Sequence, residues 1–239
     1  MSDNVNVIYS TERERERERE RSNSTSSDID TENRTPYTKT PEPENKLNTI
    51  DNFLKHFKIK TDNLTVAVQG FGNVGSNIAR FLHQLGFKIV AIADVKDGFL
   101  DPSGVEDFEI VENQFFETRS FSGLGSPANS QNILELPVDI LVPAAIEEVI
   151  TRKNAYKIKA KYILEMANGP TDFEADKILN NKGVIIIPDI LANSGGVATS
   201  FFEWYQNINN ESWDKEKVNG KLKVKMEKAV EEVIKTAEV

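Results

Sequence analysis

Three glycines, Gly70, Gly72 and Gly75, stand at the spacing GxGxxG, and an acidic residue, Asp94, follows about 20 positions later. Residues of these types in this order can hold a dinucleotide. The first glycine permits a tight turn, the second lets backbone approach a pyrophosphate with no Cβ between them, and the third lets a helix pack closely on the preceding strand. The phosphates would then face the free N–H groups and positive dipole end of a helix starting near Asn73. A carboxylate at Asp94 would accept from ribose hydroxyls and repel a 2′-phosphate, which favours NAD over NADP. Lys96, two residues on, would offset part of that repulsion.

The elements needed to position these groups surround them. Residues 64–68 are a short β-branched and apolar run suited to a buried parallel strand. Val74, Ile78, Phe81, Leu82 and Leu85 then recur at helical spacing, predicting one apolar face for the sheet, and Gly86 is a natural stop. Residues 88–93 read as a second strand that delivers Asp94. Strand, glycine turn, helix and strand thus form one unit, a context that a stray glycine cluster lacks.

The same plan recurs downstream. Asp97-Gly98 and Asp101-Pro102-Ser103-Gly104 are turn signals flanking a small excursion, whereas residues 105–137 give no clear pattern. Strands are expected over 138–142, 162–166 and 184–187, with a helix over 172–179 between the last two. The predicted fold class is therefore α/β, a Rossmann-type, doubly wound, mainly parallel sheet. Ligands of such sheets sit beyond the carboxyl ends of the strands, where Ala144, Ala145, Asn168 and Asn193 fall. Residues 217–239 carry Leu222, Met226, Ala229, Val230, Val233 and Ala237 at helical spacing and predict a closing amphipathic helix.

Composition limits the remaining possibilities. The 239 residues include no cysteine and carry a net charge of −9, which removes disulfides and thiolate chemistry and makes nucleic acid an unfavourable partner. No apolar run approaches the roughly 18 residues of a membrane span. The first residues lack the basic start and apolar stretch of a signal peptide, so a cytoplasmic protein is expected. Residues 1–46 form a tail whose Ser, Thr, Glu, Arg and Pro content, including the alternating Glu-Arg run from Glu12 to Arg21, cannot bury enough apolar surface to offset ordering entropy. Disorder is expected there, and one domain over 47–239, opened by a lead-in helix carrying Ile50, Phe53, Leu54 and Phe57. His56 and His83 stand alone, without a partner motif for catalysis or metal binding.

Four stretches carry a family resemblance: VAVQGFGNVG, LVPAAIEEVIT, EMANGPTDFEADKIL and IIPDILANSGGVATSFFEWYQN. Together they closely resemble the NAD(P)-binding domain of glutamate dehydrogenase, a fold shared with leucine and phenylalanine dehydrogenases. The resemblance implies that Gly70, Phe71, Gly72, Asn73, Val74 and Gly75 form the pyrophosphate loop and that Asp94 binds ribose. It further implies that Ala144 and Ala145 line the cofactor, that Asn168 and Asn193 lie near its nicotinamide end, and that Ser200 helps hold the substrate's side-chain carboxylate. Read without the family, Ser200 is a helix-surface or packing serine, Asn168 is turn chemistry before Gly169-Pro170, and Phe201, Phe202, Trp204 and Tyr205 fill core.

Two departures matter. Met166 stands where the family usually has glycine, and would crowd the cofactor pocket or the packing behind it. The family's activated lysine and catalytic aspartate belong to an upstream substrate domain, and this sequence has the polar tail there, so no catalytic residue is assigned within it. Three readings follow: the NAD-binding half of a glutamate dehydrogenase completed by a second polypeptide, a non-catalytic NAD-binding or interaction module, and a truncated remnant.

Overall fold

A computed structural model describes residues 63–237; the expected tail and lead-in helix lie outside them. Seven strands form one sheet in the order β4-β3-β2-β1-β5-β6-β7. β1 (Thr65–Gln69) lies between β2 (Lys88–Ala93) and β5 (Ile140–Pro143), and β6 (Tyr162–Leu164) and β7 (Ile185–Ile187) extend the sheet, all five mutually parallel. β3 (Gly98–Leu100) and β4 (Ser126–Ala128) add an antiparallel edge. The excursion after Asp94 is thus a hairpin that widens the sheet.

Side-chain alternation along β1 divides the core into two layers. Val66 and Val68 enter one, with Ile78 and Leu82 of α1 (Asn73–Gln84) and Phe108, Val111 and Phe115 of α2 (Phe108–Thr118). Ala67 enters the other, with Leu141, Ile163 and Leu179 of α3 (Phe173–Asn181). Val74 does not join the packing face of α1: it is 40% exposed in the helix's first turn. Asp107 caps α2 by accepting from the N–H of Glu109, and Asp172 caps α3 by accepting from that of Ala175.

After β7 come α4 (Asp189–Ala192), α5 (Ser194–Asn209) and α6 (Lys215–Ala237). Leu222, Met226, Val230 and Ile234 lock α6 onto the first layer at four-residue spacing. From α5, only Ala198 and Phe202 are buried. Phe201, Trp204 and Tyr205, expected in the core, are instead 47%, 56% and 37% exposed. The helix packs against α4 and α6, with Ala198 and Phe202 turned into the first layer and these aromatics left outside it.

At the amino ends of the parallel strands, Asp139 holds three elements together. Its carboxylate accepts from the Thr65 N–H at 3.0 Å, the Thr65 hydroxyl at 2.8 Å and the Lys161 ammonium at 2.8 Å. Burial raises the carboxyl's pKa, but Lys161 and the two Thr65 donors outweigh it and hold the group below its ordinary value. A depression of about 710 Å³ opens at this same edge, lined in part by Lys157, Lys159, Lys161 and Lys182. Lys157 pairs with Glu135, Lys161 with Asp139, and Lys182 donates to the carbonyls of Ala155, Tyr156 and Ile158. These three cations are engaged by carboxylates and carbonyls, and Lys159 stands exposed beside them.

Candidate functional site

The opposite edge collects the loops that follow β1, β2, β5, β6 and β7. Gly70 turns the chain at φ 96°, and a Cβ there would come within 2.8 Å of the Ala145 nitrogen. Its N–H donates to the Ala93 carbonyl at 2.7 Å, while the Ala144 N–H donates to Gln69 at 2.7 Å. The loops after β1 and β5 therefore share one backbone contact. Gly75 is equally constrained, since its Cβ would stand 2.0 Å from the Gly70 carbonyl oxygen.

Gly72 differs from both. Its φ of −76° suits any residue, and a Cβ there would meet nothing within 4 Å. Nothing among the described residues requires glycine there, whereas a bound pyrophosphate lying on the loop would. Gly72 also precedes the first N–H groups of α1, which no side chain caps and whose own first turn carries no acidic residue. Asn73 and Val74 are exposed in this opening. Phe71 is not: its ring is fully buried, 5.1 Å from Phe115 and 5.3 Å from Phe121, so only its backbone reaches the loop.

Asp94 lies half-buried one residue past β2, where its N–H donates to the Asp97 carbonyl at 2.8 Å and closes the β2–β3 hairpin. Asp97 ties that hairpin to the segment after α2, its carboxylate accepting from the Ser120 hydroxyl at 2.5 Å and the Phe121 N–H at 3.2 Å. Sequence reading gave Asp97 only a turn role.

At the other end of the edge, the Asn193 side-chain amide donates to Asn168 Oδ1 at 2.7 Å. These asparagines come from the loops after β6 and β7, and the structure brings them together. Asn193 is also the residue before α5, and Ser200, exposed on that helix, follows about two turns later on the same side. Ala144 is half-buried and Ala145 exposed between the glycine loop and this pair. Met166, 7% exposed, points into the first core layer and spares the opening.

Two acidic residues that sequence reading passed over sit beneath the asparagine pair. Glu165, 7% exposed, accepts from the Asp189 N–H at 3.1 Å through Oε2. The Asp189 carboxylate accepts from the Gly169 N–H at 2.7 Å and the Ile190 N–H at 2.6 Å. Burial pushes the Glu165 carboxyl above its ordinary pKa. A glutamate inside the apolar run ILEMA was the available signal, since a charged residue there must be paired or neutral. Among the described residues, no group of three or more His, Cys, Asp or Glu converges on a metal position, and no helix is long and apolar enough to cross a membrane.

Comparison with known proteins places this geometry in context. The family described as Glutamate/Leucine/Phenylalanine/Valine dehydrogenase matches residues 47–239. The chain is 40% identical over 197 residues to the catabolic NAD-specific glutamate dehydrogenase RocG of Bacillus subtilis, a match covering 79% of this chain and 44% of that protein. Among solved structures, the hetero-hexameric glutamate dehydrogenase of Thermus thermophilus in its leucine-bound form superposes with a TM-score of 0.75 at 29% identity, covering 81% of this chain and 46% of that one. The glutamate dehydrogenase of Peptoniphilus asaccharolyticus gives a TM-score of 0.65 at 33% identity, with 81% and 45% covered. The chain thus spans less than half the length of these relatives.

Proposed function

Because the chain belongs to the Glutamate/Leucine/Phenylalanine/Valine dehydrogenase family, we propose that it is the cofactor-binding half of a glutamate-dehydrogenase-type oxidoreductase. It takes NAD in preference to NADP, for the reversible oxidative deamination of L-glutamate to 2-oxoglutarate and ammonia. The observation that carries this reading is Gly72, which nothing among the described residues requires to be glycine and which lies in the loop proposed to receive the pyrophosphate.

The residues divide the work by position. Backbone of Gly70, Phe71, Gly72, Asn73, Val74 and Gly75 cradles the pyrophosphate, with the N–H groups of α1 facing its charge. Asp94 accepts from the adenosine ribose, and Ala144 and Ala145 line the space between. Asn168 and Asn193 orient the nicotinamide, and Ser200 reaches the substrate's side-chain carboxylate. Bound NAD would supply the hydride-accepting ring; the protein's part is orientation. The lysine and aspartate that handle protons belong to the part of the relatives this chain does not match, so turnover needs that substrate domain. In this reading the protein is cytoplasmic and assembles with further subunits.

A non-catalytic NAD-binding module is the second reading, favoured by the span of the match, under half of each relative. Calorimetry and NAD reduction separate the two. Binding heat is expected with NADH and less with NADPH; no heat with either overturns both. With saturating glutamate, the chain alone is expected to give a flat absorbance trace and to gain turnover when a relative's substrate domain is supplied. No turnover in that mixture leaves the binding module.

A further inference from the structure

The loop after β6 is gripped from both sides. The Gly169 N–H donates to the Asp189 carboxylate at 2.7 Å, and the Gly169 carbonyl accepts from the Glu148 N–H at 2.9 Å. Loops following β5, β6 and β7 are therefore joined through one residue. Asp189 in turn places α4, because its own carbonyl accepts from the Asn193 N–H at 2.9 Å, while its N–H rests on the buried Glu165. A single aspartate thus sets the positions of both residues whose side chains meet in the Asn168–Asn193 hydrogen bond. Both of its carboxylate oxygens are engaged, so an amide cannot replace it without facing an N–H with an N–H.

We propose that Asp189, seated on Glu165, is a positioning residue that fixes the Asn168–Asn193 pair and thereby sets how tightly and in what orientation the nicotinamide ring is held. This rests on the cofactor reading above and deepens it. The adenine half lies at the far end of the edge, on Gly72 and Asp94, and shares none of these hydrogen bonds. Asp189 therefore acts on one end of the dinucleotide alone.

The test compares NADH with ADP-ribose, which carries the adenine and pyrophosphate but no nicotinamide, on wild type, Asp189→Asn and Glu165→Gln. For Asp189→Asn, NADH affinity is expected to fall by about tenfold, the size of one lost charge-assisted hydrogen bond. The fluorescence change of reduced nicotinamide on binding should shrink with it, while ADP-ribose affinity stays within about twofold. Glu165→Gln keeps an acceptor for the Asp189 N–H and should bind NADH like wild type. Should Asp189→Asn fail to fold, Glu165→Leu removes the acceptor under Asp189 and should show the same selective loss. Equal losses of NADH and ADP-ribose, or no loss of either, overturn the proposal while leaving the cofactor site standing. Wild type binding neither ligand overturns both.

Discussion

Of the three spaced glycines, two are held by backbone close to them and one by a proposed ligand, and substitution should separate the two cases. Gly75→Ala places a methyl against the Gly70 carbonyl oxygen. It should destabilise by about 1–3 kcal/mol as an overpacked contact, read as a lower urea midpoint. Gly72→Ala meets open space and should leave that midpoint nearly unchanged while weakening NADH by about tenfold or more, a methyl-sized clash being about 1–3 kcal/mol. A Gly72→Ala chain that binds NADH normally would remove the main support for the cofactor reading. Spacing made these three glycines and Asp94 legible in the sequence. Glu165 and Asp189 were not, because their importance lies in which N–H groups they face, and those come from loops brought together only by the sheet.

Periodicity predicted most of the elements, and its failures have local causes. β2 matched its expected bounds, Lys88–Ala93, because its apolar run is long and cleanly ended. α2 went unread although Asp107 caps it and Phe108, Val111 and Phe115 share a face. Exposed Ile110 and Phe116 blurred that stripe, and the turn residues beyond it suggested a loop. β4, Ser126–Ala128, is three residues with a central proline, acceptable only at a sheet edge. The link between elements at Asp139 makes a pH prediction. A carboxyl held below its ordinary pKa in the fold stabilises fully above the unfolded value, near 4, and loses that contribution as pH falls through the lower folded value. Asp139→Asn should therefore cost about 1–2 kcal/mol at pH 7 and less at pH 3, below the unfolded value. Urea melts at the two pH values measure the difference, and an equal loss at both would contradict this account.

On the scale of the whole molecule, the alternation of strands and helices predicted the doubly wound topology, while the exposed aromatic face of α5 was misread as core. Val197, Phe201, Trp204, Tyr205 and Ile208 recur along one side of that helix, 37% to 74% exposed. A contiguous apolar face of this kind promotes association when nothing covers it. The isolated chain is expected to gain apparent mass with concentration in light scattering, and Trp204→Lys with Ile208→Glu should return it towards monomer mass. A wild type that stays monomeric at high concentration would show the face to be tolerated by solvent. The two edges of the sheet are also separate in their tasks, with Asp139 joining elements at one and the proposed cofactor-binding groups gathered at the other, at the strand carboxyl ends. That polarity gives a practical handle: the chain has no cysteine, so a thiol-directed dye or surface tether on Lys159→Cys, exposed at the far edge, would let a biosensor present its opening outward.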